Sequence, residues 1–145
     1  MKKQVLKALS LAGLIFALTG PTVSANISEP LNVNIPFAFT AGNKSLPAGA
    51  YRVRNLTSET LLIQSADSKQ VTTVLTNHKQ AGPALGQAKL AFHRYGDRYF
   101  LAQVWTLWEG YEVTRSRAER ELTQNQGKRL AQNATEPETI YIAAE

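Results

Sequence analysis

A lone mid-strand histidine, a pair of loop aromatics and a scatter of arginines are the groups in this 145-residue chain whose chemistry could serve a function. His93 lies inside the apolar run KLAFHRYGDRYFLAQVW, Lys89 to Trp105. Imidazole changes charge near neutrality, so it can act as base or ligand there; a packed, hydrogen-bonded histidine is the plainer reading. The only other histidine, His78, stands beside Lys79 in a polar stretch and reads as a solvated loop residue. The two histidines lack metal-ligand spacing and the chain has no cysteine. No metal or cofactor is therefore expected, and thiol chemistry is excluded. No G-x-S-x-G elbow marks a nucleophilic serine, and no glycine-rich loop marks a phosphate site. Glu109 and Glu112 could pair as acid and base, but carboxylates beside a turn read as solvated. The enzyme reading left by these residues is a hydrolase centred on His93.

Trp108 and Tyr111 flank Glu109-Gly110 in a loop. Exposed, they could stack on a sugar ring or anchor a protein partner. Folded back, Trp108 would act as a lid over the core, since an aromatic ring buries a large area. Arg94, Arg98, Arg115, Arg117 and Arg120 could form an anion site with Tyr95 and Tyr99, but Glu109, Glu112, Glu119 and Glu121 are interleaved with them. Arg115 with Glu119, and Arg117 with Glu121, have the i,i+4 spacing of a self-paired helix face. No nucleic-acid partner is expected, because that recognition needs a basic surplus. The candidate contacts for a ligand or partner are Trp108, Tyr111, His93 and Arg94.

These residues must be held by strands. Gly96-Asp97 signals a two-residue hairpin loop with a positive φ at the glycine, which sets Tyr95 opposite Arg98 and His93 opposite Phe100. Alternation then puts Ala91, His93, Tyr95, Phe100, Ala102 and Val104 on one face. It puts Leu90, Phe92, Tyr99, Leu101 and Trp105 on the other, with Arg94 and Gln103 among them. Both faces are largely apolar, so both must be covered. Leu31 to Phe39 alternates as a half-buried strand, and Pro36, which cannot donate to a ladder, assigns it to an edge or a bulge. Leu46-Pro47-Ala48-Gly49 is a turn. Strands are expected over Ala50–Leu56, with Tyr51 and Val53 inward, then Thr60–Gln64, Val71–Thr76, Tyr111–Val113 and Ile140–Ile142. His78 to Gln87 reads as a loop.

Ser116-Arg117-Ala118-Glu119 is a capping-box pattern that starts a short helix through Gln124. Such a helix is marginal alone and must dock, through Ala118 and Leu122, on the outer hairpin face. The fold class is mainly β: a single antiparallel sandwich or small barrel with one short helix in its C-terminal half.

The N-terminus has its own logic. Lys2, Lys3 and Lys7 precede an apolar run of 11 residues, Ala8 to Leu18, and Val23-Ser24-Ala25 ends in small residues. This is the order of a secretory signal peptide, and the run is shorter than the roughly 20 residues that span a bilayer. The expected organisation is a signal peptide over 1–25, a β-rich domain over 26–122, a polar linker or mobile loop over 123–139 and a terminal strand over 140–145. With three lysines removed, the 16 basic residues become 13 against 11 acidic ones, and the net charge falls from +5 to +2. The mature chain carries no second segment of membrane length.

The order IPFAFTAGNKSLPAGAYRV, LLI, LAFHRYGDRYFLAQVW and SRAEREL resembles a group of small exported proteins common in soil bacteria. These show a signal peptide, an LPAG-Y turn, an FHRYGD-YFL hairpin and a serine-rooted charged helix. The resemblance spans Val33 to Leu122 and implies export and a β-rich domain. The group has no assigned activity, so it hands over no catalytic residue. The expected function is a non-enzymatic binding or envelope-associated module, periplasmic or extracellular, with an unknown protein or saccharide partner. A small-ligand or carbohydrate binder using the aromatic loop is the alternative, and the hydrolase is the third reading.

Overall fold

The computed structural model describes residues 29–80, 86–129 and 137–145. The expected signal peptide over 1–25 and part of the expected linker, residues 130–136, lie outside the described residues.

Alternation makes Leu31–Ile35 a strand, β1, with Val33 and Ile35 buried. The expected single strand to Phe39 is two elements. Pro36 ends β1, and the chain re-enters as β2, Phe39–Ala41, against a different neighbour. A residue without an amide donor thus marks a corner between two parts of the sheet. Gly42, at φ 58°, turns the chain into β3, Lys44–Leu46. Then come β4, Gly49–Thr57, β5, Thr60–Ser65, and β6, Val71–Gln80. In β4, Tyr51 and Val53 are buried and Arg52 and Arg54 exposed, as alternation requires. β6 continues through His78 and Lys79, which composition had assigned to a loop. Its polar half is held as a strand by β9, Glu109–Val113, in the register Thr76–Val113 to Gln80–Glu109.

The hairpin is β7, Lys89–Tyr95, with β8, Arg98–Trp105, and Tyr95 faces Arg98 and His93 faces Phe100 as expected. Gly96 has the required positive φ, 66°. A bulge then changes the faces: Phe92 pairs with Leu101 but Ala91 pairs with Gln103, leaving Ala102 over. An extra residue reverses every side chain beyond it. Val104 therefore joins Leu90, Phe92 and Leu101 in the interior cluster, while Gln103 and Trp105 move to the face of Ala91 and Phe100. Both faces are nonetheless covered, with Ala91, Phe92 and Phe100 all fully buried.

Helix α1, Arg117–Arg129, runs past the expected stop at Gln124 into the expected linker, since extending a nucleated helix needs little. The final strand, β10, Glu138–Ala143, returns to β7 with Ile140 opposite Phe92. In order around the sheet the strands are β1, β4, β5, β6, β9, β8, β7 and β10. Two backbone bonds between Asn32 and Glu145, 2.7 and 2.8 Å, then join the last to the first. The closed circuit is a small barrel, and closure removes two edges that would otherwise seek partners. β2 and β3 fill the remaining gap: β2 runs parallel to β8 at Thr40–Phe100, and Lys44 Nζ donates to Val71 O at 3.1 Å.

The barrel has two unlike ends. At one, the Phe37 ring stacks on Tyr99 with centroids 3.9 Å apart, and the Arg94 guanidinium lies 5.7 Å from the Tyr99 centroid. Beneath them Phe92 meets Phe37 and Phe39 edge to face, at 5.2 and 5.4 Å. These rings plug that end. The other end, where β1, β7 and β9 begin and β4, β8 and β10 finish, is open.

Candidate functional site

The open mouth holds a cleft of about 850 Å³. Strand ends build it: Leu31 of β1, Asn55 of β4, Ala88 before β7, and the connection Thr106 to Glu109 between β8 and β9. A barrel mouth is a recurrent ligand position, because strands fix the wall while loops are free to vary. Trp108 stands at the rim with 77% of its surface exposed. The expected lid over the core is therefore not formed. The connection is self-braced instead. Thr106 Oγ1 accepts from the Trp108 and Glu109 amides at 3.2 and 2.9 Å and donates to Glu109 O, a hydroxyl satisfying a turn locally.

Tyr111, expected beside Trp108 in the exposed strip, instead points into the barrel and is 3% exposed. In β9 it faces His78 across the ladder, with the rings 5.6 Å apart and edge to face. Its hydroxyl accepts from Asn55 Nδ2 at 2.6 Å and donates to Glu109 Oε2 at 2.5 Å. Burial, and next the bond to Glu109, hold its phenol above the usual range, so it stays neutral. Glu109 Oε1 in turn lies 3.8 Å from His78 Nε2. Asn55, Tyr111, Glu109 and His78 thus form one polar chain across the mouth, from β4 through β9 to β6. One inward step deeper on β6, Thr76 is buried with no partner for its hydroxyl among the described residues.

His93 and Arg94 belong elsewhere. Arg94 is five residues along β7 from Lys89, roughly 16 Å of strand from the mouth. Its side chain is committed to Gly96 O at 2.8 Å and Glu138 at 3.2 Å. Adjacent strand residues point apart, so His93 faces outward toward α1. There its Nδ1 lies 2.7 Å from Glu119 Oε1, and the Tyr95 hydroxyl donates to the same oxygen at 3.2 Å. Glu119 is 1% exposed, the most buried charged side chain described. An ionised carboxylate only accepts, so Nδ1 is the donor to Glu119 in this contact.

This arrangement corrects two expectations. Glu119 does not pair with Arg115, and among the helix side chains described it, rather than the half-buried Ala118 and Leu122, is the one fully buried against the hairpin. Only half of the capping box forms. Ser116 Oγ accepts from the Glu119 amide at 3.1 Å, while the Glu119 carboxylate turns away to His93 and Tyr95. The Arg117–Glu121 pair does form, at 2.8 Å. A glutamate–histidine couple is part of a hydrolytic relay, but with Ser116 spent on the cap no hydroxyl among the described residues hydrogen-bonds to His93.

The four sequence candidates therefore divide among three places: Trp108 and Tyr111 at the mouth, His93 under the helix, and Arg94 at the plugged end. Asn55 was not anticipated, although Tyr51, Val53 and Asn55 alternate and place a polar side chain inward. No known protein family, curated protein or solved structure matches the chain. No helix among the described residues is long and apolar enough to cross a membrane.

Proposed function

We propose that this chain is an exported, non-enzymatic binding module whose contact site is the barrel mouth around Trp108. One observation carries the reading: a large aromatic ring is held in solvent at the rim of an open cleft, on a connection braced to keep it there. An indole that served only the core would be buried. The carboxamide of Asn55 and the carboxylate of Glu109 supply donors and acceptors next to it, which is the combination of a few polar groups and apolar wall that small-ligand sites use. Saccharides are a second reading, favoured by the same adjacency of indole, amide and carboxylate. The His93–Glu119–Tyr95 group is read as the fastening of α1 to the hairpin.

The test is a titration of the protein with a panel of mono- and disaccharides and small amines, followed by tryptophan fluorescence and calorimetry. Trp108→Ala should abolish binding of every panel member that the parent protein takes, with an unchanged melting temperature. Undiminished binding by Trp108→Ala would refute the site. Export is tested by N-terminal sequencing of protein recovered from the cell envelope or medium, which should begin at or near Asn26. A stable product retaining Met1 would contradict it.

A further inference from the structure

Taking the mouth as the binding site, as read above, we infer that the group it accepts is a small organic cation, an ammonium or guanidinium. Three acidic residues, Glu29, Glu109 and Glu145, are among those lining the cleft, and no lysine, arginine or histidine among the described residues is. This runs against the chain as a whole, which carries a net charge of +5 in full, or +2 with the three N-terminal lysines removed. The local sign is thus opposite to the global one. The basic group in contact with this set is His78, 3.8 Å from Glu109 at the edge of the cleft, and its ring and the Glu109 side chain are each about half exposed. One carboxylate oxygen of Glu109 accepts the neutral Tyr111 hydroxyl, and the other lies 3.8 Å from His78 Nε2.

The aromatic partner has the same preference. An indole presents a negative π face, and tryptophan is the best of the aromatic side chains at holding a cation there. Trp108 offers such a face in the same cleft as the carboxylates. Indole and carboxylate together attract an ammonium ion from two sides. The same pair repels a phosphate or carboxylate ligand and gives a neutral one no charge term. The apolar wall from Pro30, Leu31, Leu107 and Ala88 suits the carbon around a substituted ammonium rather than a bare metal ion, which would need oxygen ligands converging on one point. Among the described residues no such cluster of three or more metal-ligating side chains is present.

The experiment titrates ¹⁵N-labelled protein with choline and with its uncharged isostere, in which carbon replaces the quaternary nitrogen. The two ligands share shape, so the difference reads charge alone. The Trp108 indole N–H should shift saturably with choline. The isostere should bind at least fivefold more weakly, on the order of 1 kcal/mol by the usual conversion. Glu109→Gln keeps the acceptor for Tyr111 and should weaken choline by about three- to tenfold, the range of one partly screened charge contact, and the isostere by a smaller factor. Glu29→Gln, at an exposed position, gives a second variant if Glu109→Gln is not folded. Added salt should weaken choline only. If the isostere binds as well as choline, or if neutral saccharides move the Trp108 signal while choline does not, the charge inference falls and the mouth remains the site. If no panel compound shifts Trp108 while one shifts residues elsewhere, both fall.

Discussion

At the scale of single residues, the chemistry of this protein is set by carboxylates with two different surroundings. Glu109 is half exposed at the mouth and available to solvent, whereas Glu119 is sealed between α1 and the hairpin. The seal is visible in Tyr95. Burial first, then the Glu119 charge and the bond it accepts, push the Tyr95 phenol up to about 12. The folded state therefore keeps this proton after the unfolded chain, with its ordinary value of 10.0, has released it. Above the unfolded value the folded state binds more protons, so stability falls as pH rises from about 10 to about 12; below about 10 the group adds no slope. The loss is at most ~2 to 3 kcal/mol over that window. Tyr51 and Tyr111, also raised by burial, act in the same direction. Tyr95→Phe should lower stability at neutral pH by about 1 kcal/mol, the net worth of a hydrogen bond. It should also make the alkaline decline shallower. Urea midpoints measured from neutral to strongly alkaline pH check this, and an unaltered alkaline slope would mean that Tyr95 is not sealed.

Glu119 also shows where residue-level reading stops. Its place three residues after Ser116 identified the cap, of which only the Ser116 half formed. The same position made its carboxylate look like a cap group or an exposed ion-pair partner, and nothing local reveals that a histidine and a tyrosine 26 and 24 residues earlier lie above it.

Elements were legible where their signal is local. Gly96-Asp97 set the hairpin register, and Ser116 started the helix. The bulge was not legible, because Ala102 is small and apolar and looks the same on either face. Nor was the second half of β6: Asn77, His78 and Lys79 have little preference for a strand, and β9 imposes one through its ladder. The β8–β9 corner gives a sharp test of element geometry. A Cβ on Gly110 would stand 2.2 Å from the Trp105 ring, which lies against the glycine backbone and donates from Nε1 to Gln103 at 3.0 Å. Gly110→Ala must displace that ring and should lower stability by about 1–3 kcal/mol, as overpacking does. At Gly96 a Cβ meets nothing within 4 Å, so Gly96→Ala carries only left-handed backbone strain, about 1–2 kcal/mol. Thermal or urea unfolding of both variants checks the pair. A Gly110→Ala protein as stable as the parent would show that Trp105 does not pack on the corner.

For the whole molecule, alternating short strands predicted a sandwich or a barrel without deciding between them. The deciding contacts are main-chain bonds from Asn32 to Glu145, which leave no mark on side-chain pattern. Closure then creates the mouth, since only a closed sheet brings residues as distant as Leu31, Asn55, Ala88 and Trp108 to one rim. Trp108 was identifiable as a candidate from the loop alone, but its neighbours were not, because they come from strands far apart in sequence. The central claim, that this rim is the contact surface, is tested most directly by mapping. Amide and indole chemical shifts of the ¹⁵N-labelled protein should be followed as a mixture of small molecules extracted from a bacterial cell envelope is added. The account predicts shifts centred on the Trp108 indole, the Asn55 side-chain amide and the Thr106–Glu109 backbone, with His93 and Arg94 unmoved. Shifts centred on His93 and α1, with the mouth silent, would contradict it.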